Sequence, residues 1–566
     1  MSSCASLWRS WSWDSDRKRT TDMTSAFTNG KRALVATTGL AVAALVLSGC
    51  AAGGSTTPDS AGGPITIGTT DKVTTLDPAG SYDAGSFAVQ TQVFPFLMNS
   101  AFGTADVQPD IAVSAEFTSP TEYTVVLKPN LQWANGNALT ASDVKFSFDR
   151  QLTIAADNGP SSLLYNLDST NAVDDTTVVF TLKAGNDQIF PQILSSPAGV
   201  LVDEDSFSPS ALTPDNDIVA AEAFAGQYVL TSYNFNNLLS YKAYKGYQGL
   251  LGPAKSDVIN VKYYTDASNL KLDVQEGNID VAWRSLSATD IDDLRGNDAV
   301  KVVDGPGGEI RYITFTFNTQ PFGATTAEAD PAKALAVRAA VADVVDRNEL
   351  ADQVYKGTYT PLYSYVPAGM TGATESLKGL YGDGNGGPDI EKATADLAAA
   401  GVTTPIALNL QYNADHYGPG SSDEYALIKD QLDASGLFAV SLQSTEWVQY
   451  AKDRTADVYP AYQLGWFPDY SDADNYLSPF FAEGNFLKNH YDDADVTALI
   501  KKQAITTDPA ERTALIEEIQ DKVAAQLSTV PLLQGAQVAI TGPDISGTKD
   551  TLDASFKFRY GALSKG

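Results

Sequence analysis

YTVVLKPNLQWANGNALTASDVKFSFDR, residues 123–150, reads as one strand, one turn and one helix in succession. Tyr123 to Leu127 are the aromatic, β-branched and aliphatic types that suit a pleated strand, predicted over 123–129. Asn135-Gly136 marks a turn. Thr140, with Asp143 three positions on, has the spacing of a capping box and predicts a helix over 141–149. Strand, turn and helix thus occupy 28 residues, and the same alternation continues outward in both directions.

Further strands are predicted at ITIGTT (65–70), VVFTLKA (178–184) and RYITFTFNT (311–319). Helices are predicted over 334–345, 390–400, 423–435, 494–506 and 509–526, the last with apolar residues at 515, 516, 519, 523 and 527. The chain is α/β throughout, without a tandem repeat or a long low-complexity segment. Asp304-Gly305-Pro306-Gly307-Gly308 and the stretch 529–535 read as joints, and YGDGNGGP (381–388) as a loop. A length of 566 residues exceeds what one hydrophobic core organises, and 43% hydrophobic residues describe a folded chain.

The formal charge of −31 repels phosphate backbones, and no basic run follows the N-terminal region, so nucleic acid is not an expected partner. Lys31-Arg32 precede ALVATTGLAVAALVL and Ser48-Gly49-Cys50, the order of a signal peptide over residues 1–49. Fifteen helical residues span roughly 22 Å, short of the roughly 30 Å bilayer core. Leu47-Ser48-Gly49-Cys50 resembles a bacterial lipobox, with Cys50 as the lipidated residue. An ordinary secretory signal with a chance cysteine is the alternative. Residues 50–63 then form a flexible tether, and residues 1–22 read as an overextended start ahead of Met23. The expected place is the outer face of the cytoplasmic membrane, held by lipid.

Little in the sequence suggests catalysis. Cys4 and Cys50 are the two cysteines, and a chain starting at Cys50 holds no intramolecular disulfide. His416 and His490 stand in no nucleophile motif, and HExxH, GxSxG and phosphate-loop patterns are missing. The richest cluster is GWFPDYSDADNY, 465–476. A calcium loop starting at Asp472 would place Asp474 third and Glu483 twelfth, but it has Tyr476 fifth and Leu477 where glycine is needed. No catalytic residue, metal or cofactor is assigned.

Several separated blocks together resemble the oligopeptide- and dipeptide-binding family (family 5) of extracytoplasmic solute-binding proteins of bacterial ABC importers. They are residues 123–150, TTLDPAGSYD (74–83), LDVQEGNIDVAW (272–283), FNTQPF with VRAAVADVVDRNEL (317–322, 337–350), YKGTYTPLYSYVP (355–367) and residues 465–476. AGQY (225–228), KAYKGYQG (242–249) and a long spacer after Phe322 depart from the family pattern.

The resemblance implies a two-lobed periplasmic-binding-protein-like α/β fold of the large class. Lobe I would be 64–308 with an extra subdomain near 100–205, lobe II 309–529, and 530–566 would return to lobe I. It implies a monomer that closes on a short peptide and hands it to ABC permease subunits. It also implies that Asp469 receives the peptide's α-ammonium, that Gly465 and Trp466 lie along the ligand, and that Trp466, Phe467 and Tyr470 wall its first side chain. The plainer alternative is that Asp469 caps a turn. Trp133 is expected in the scaffold core. Alternatives in function are a sugar, opine or metal-chelate ligand on the same fold, a binding protein that signals or adheres, and a secreted hydrolase.

Overall fold

The computed structural model describes residues 62–566 apart from positions 285, 414, 415, 419 and 556. The expected signal peptide and Cys50 lie outside the described residues. Among those described, no helix is long and apolar enough to cross a membrane.

The 123–150 stretch folds as its chemistry dictates. Glu122–Leu127 is a strand and Ala141–Ile154 a helix. Gly136 takes φ +96° in the intervening turn, a conformation open to glycine. The Thr140 N–H donates to Asp143 Oδ2 at 2.8 Å, and Thr140 Oγ1 accepts from the Ser142 N–H at 3.2 Å. Two donors that the first helical turn leaves free are thereby satisfied. This helix packs on a four-stranded antiparallel sheet ordered 112–119, 122–127, 177–182, 167–172. Trp133 is 1% exposed within that core, beside Phe148 and Phe180. The helix Pro509–Gln526 also forms over its predicted range, burying Leu515, Ile516, Ile519 and Val523.

Eleven strands make one larger sheet among the described residues. Its order runs 438–444, 406–412, 461–466, 301–315, 529–541, 281–283, 65–69, 258–263, 238–243, 228–234, with 359–361 also on 529–541. At its centre lie two long antiparallel neighbours, Lys301–Phe315 and Thr529–Thr541. They feed cores on both sides. Ile310, Tyr312, Ile313 and Phe315 join Val530, Leu532 and Leu533 in one. Val538 and Ile540 enter a second, and Ala539 a third.

The first of these strands starts ten residues before the predicted 311, running through the stretch read as a joint. The ladder continues from Lys301 to Pro306, breaks, and resumes at Ile310, so residues 307–309 stand opposite Gly535 alone. Such a bulge concentrates bend and twist at one point without ending the strand. Glycine is required there by close approach. A Cβ on Gly307 would meet the Gly535 carbonyl oxygen at 2.3 Å, and one on Gly308 the Ala554 carbonyl oxygen at 2.8 Å.

Just past the bulge, the buried Arg311 guanidinium donates to Glu424 at 3.1 Å, Tyr355 Oη at 2.7 Å and the Tyr417 carbonyl at 2.7 Å. The Glu424 contact ties the strand Lys301–Phe315 to the helix Gly420–Ala434. Gly307→Ala is expected to destabilise the protein by about 1–3 kcal/mol through forced displacement of that backbone. Gly379→Ala, where nothing lies within 4 Å of the added methyl, should stay within about 0.5 kcal/mol. Equilibrium urea unfolding of the two variants checks both.

Candidate functional site

The strand Ala461–Trp466 pairs with Lys301–Phe315, Gly465 opposite Arg311 and Trp466 opposite Ile310. The chain then leaves the sheet next to the bulge, and the Tyr476 hydroxyl donates to the Gly308 carbonyl at 2.6 Å. Asn475, in the first turn of the helix Asp474–Phe481, organises what lies between. Its Oδ1 accepts from Trp466 Nε1 and from the Asp469 N–H, each at 2.9 Å. Its Nδ2 reaches Asp469 Oδ2 at 3.4 Å.

The other carboxylates of the segment are engaged below. Asp472 takes a two-pronged pair from Arg512 at 2.7 and 2.8 Å. Asp474 accepts from Ser478 at 2.5 Å, Tyr470 at 3.1 Å and Gln503. Burial pushes the Asp474 carboxyl up to about 6.

Phe467, Asp469 and Tyr470 face a cleft of about 350 Å³ whose opposite wall comes from distant parts of the chain. Tyr82 and Phe87, Ser195, Arg284 and Lys557 line that wall. Across the cleft the Tyr82 hydroxyl donates to Asp469 Oδ1 at 2.5 Å. Asp469 is half-buried, and desolvation raises its carboxyl above the usual range, against the lowering effect of the Tyr82 and Asn475 hydrogen bonds. The Tyr82 phenol is itself raised, by burial first and then by the Asp469 carboxylate.

Gly465 and Trp466 do not line this cavity. Trp466 is turned into packing, edge-on to Phe480 at 5.0 Å, with its indole N–H held by Asn475. Tyr470 packs against the core of the four-stranded sheet. His416 stacks on Trp447 at 3.7 Å, and His490 Nε2 pairs with Asp457 at 2.8 Å, both outside the cleft.

The sequence reading did not pick out Tyr82, Arg284 or Lys557. Tyr82 does fall at the end of the TTLDPAGSYD block, but nothing local connects it with a residue 387 positions away. Lys557 carries no motif at all. Its amine is buried, donates to the Ser195 carbonyl oxygen at 2.7 Å, and is held down to about 7 by desolvation first and then by Arg559.

That depression has a definite sign for stability. The native amine has released its proton above about pH 7, whereas in the unfolded chain it keeps it to about 10.5. This group therefore penalises folding fully below about pH 7, and the penalty fades as pH rises from 7 to 10.5. Lys557→Met should be more stable than wild type near pH 6, with the difference shrinking across that window. Urea unfolding midpoints at a series of pH values measure it.

Comparison with known proteins agrees with this architecture. The family model for bacterial extracellular solute-binding proteins, family 5, matches residues 106–488. The glutathione-binding protein GsiB of Salmonella typhi is 26% identical over 526 residues, covering 88% of this chain and 94% of that one. The ABC transporter substrate-binding protein CtaP of Listeria monocytogenes superposes with a TM-score of 0.72 at 23% identity, covering 89% of this chain and 99% of that one. The periplasmic binding protein DppA of Helicobacter pylori, in complex with the peptide STSA, gives 0.64 at 19% identity, covering 89% and 98%. The fold is the two-lobed α/β fold of these binding proteins, and the matched region spans two thirds of the chain. The chain belongs to the bacterial extracellular solute-binding proteins of family 5.

Proposed function

We propose that this protein captures short peptides between two lobes outside the cytoplasmic membrane and delivers them to the permease of an ABC importer. The observation that carries the reading is Asp469, a half-buried carboxylate with a raised pKa, facing a small cleft and bridged across it to Tyr82. A carboxylate that burial has made reluctant to ionise gains most from an enclosed cation. An α-ammonium withdrawn from water needs such a charged hydrogen-bonding partner, or its desolvation defeats binding. Phe467 and Tyr470 offer apolar surface beside it. The names of the relatives support the same class of ligand, since glutathione and STSA are both short peptides.

On this reading lobe I is 64–308, with the extra subdomain near 100–205, completed by 530–566, and lobe II is 309–529. A ligand touching both stabilises the closed form by its differential affinity for that form, and the permease reads closure. Asp469→Asn keeps the shape and removes the charge. Removing one partner of an enclosed ion pair costs about 3–5 kcal/mol, so peptide affinity should fall roughly 150- to 5,000-fold. N-acetylation of the peptide should cost wild type a similar factor. Titration calorimetry decides: equal binding of free and acetylated peptide removes Asp469 as the amine receptor. Binding of a sugar, opine or metal chelate in place of any peptide removes the peptide reading.

The N-terminal segment completes the proposal. Cys50, following the lipobox-like Leu47-Ser48-Gly49, is the residue that carries a diacylglycerol. At about 0.8 kcal/mol per buried methylene, two acyl chains or more hold a protein to a bilayer almost permanently. Mass spectrometry of the native N-terminus should find a lipidated Cys50, and Cys50→Ala should release the protein from membranes or leave the precursor uncut there.

A further inference from the structure

Of the two cations that line the cleft, Arg284 has a carboxylate within ion-pair distance and Lys557 does not. Asp83 caps the helix Ala84–Val93 through the Ser86 N–H at 2.8 Å and accepts from the Thr74 hydroxyl. Arg284 lies 3.6 Å from Asp71, and Asp469 takes the Tyr82 hydroxyl. Lys557 is 6% exposed, and its Nζ gives one hydrogen bond to a neutral carbonyl and sits over the Phe87 and Phe96 rings at 6.0 and 5.6 Å. The carboxylates that act on it from a distance are committed elsewhere. Asp553 is paired with Arg559 at 3.1 Å, and Asp110 accepts from the Leu250 N–H at 2.6 Å and from Tyr247. An ammonium has three donors, and a buried one without a counter-ion is a costly arrangement unless something supplies the anion.

We propose that Lys557 receives a carboxylate of the ligand while Asp469 receives its amine, so that the cleft selects zwitterions. The inference rests on the peptide reading given above. The cavity of about 350 Å³ is near the lower end of small-ligand pockets, roughly 300–1,000 Å³, which favours enclosing both charged ends of a short ligand together. The depressed pKa of the amine, with Arg559 opposing its charge and Asp553 and Asp110 favouring it, fits a site that is completed by an incoming anion.

The test uses the tripeptides X-Ala-Ala, with every natural residue as X, in three forms. One set has free C-terminal carboxylates, one has C-terminal amides, and one is X-Ala-Glu amides with the carboxylate on a side chain. Calorimetry is run on the full chain and on Lys557→Met, whose folding the unfolding curves verify. A carboxylate-bearing set should bind wild type about ten- to a hundredfold tighter than the Ala amides, and the variant should lose that advantage while keeping its affinity for the amides. Which carboxylate set shows the advantage tells whether the terminal or the side-chain group is read. Independently of any variant, all sets should take up the fraction of a proton that completes the α-ammonium at pH 8, and the favoured carboxylate set should take up a further fraction, seen as a steeper dependence of the heat on buffer ionisation than the Ala amides show. Equal affinities for acids and amides, or an advantage that survives Lys557→Met, overturn the Lys557 assignment and leave the peptide reading standing. No binding by any set overturns the peptide reading and this inference with it.

Discussion

The antiparallel pairing of Lys301–Phe315 with Thr529–Thr541 is the constraint on which the rest of the structure depends. Both strands bury side chains in cores at either end, so the two ends are coupled through a ladder of backbone hydrogen bonds. The ladder is interrupted at 307–309, where Pro306 has no N–H to give and Gly307 and Gly308 allow backbones to touch. The break in register is confined to a few residues, and the ladder is paired on both sides of it.

The cleft is placed by the same feature. Gly308 lies against Pro468, Tyr476 and Ala554, so the segment carrying Asp469 and the segment leading to Lys557 both converge on the bulge. Asn475 and Arg512 then fix the loop: one holds Trp466 and the Asp469 backbone, the other neutralises Asp472 from below. With its neighbours satisfied, Asp469 is left with a carboxylate oxygen directed to a tyrosine across the cavity. Pre-organisation of this kind limits the side-chain ordering that binding would otherwise have to offset. In a chain of formal charge −31, the cleft sets a lysine and an arginine close to two aspartates. The charges at the site are thus more balanced than the acidic excess of the chain as a whole.

What the sequence determined by itself is what short-range physics controls. Thr140 and Asp143 start a helix because cap and donor are three residues apart, and Pro509–Gln526 is helical because its apolar residues recur on one face. Trp133 is buried beside the strand and helix that flank it in the chain. The family, too, was legible, since its blocks are local patterns in a fixed order. Tertiary structure alone decided the rest. The glycine-proline stretch at 304–308 looks like a loop in isolation and is held in a strand by a partner more than two hundred residues on. Trp466 belongs to the same motif as Asp469 yet turns inward, because Phe480 and Asn475 give its ring and N–H a better environment than the cleft does. Tyr82 and Lys557 reach the site from opposite ends of the chain, and no local pattern encodes a contact whose sequence separation is set by the packing of whole cores.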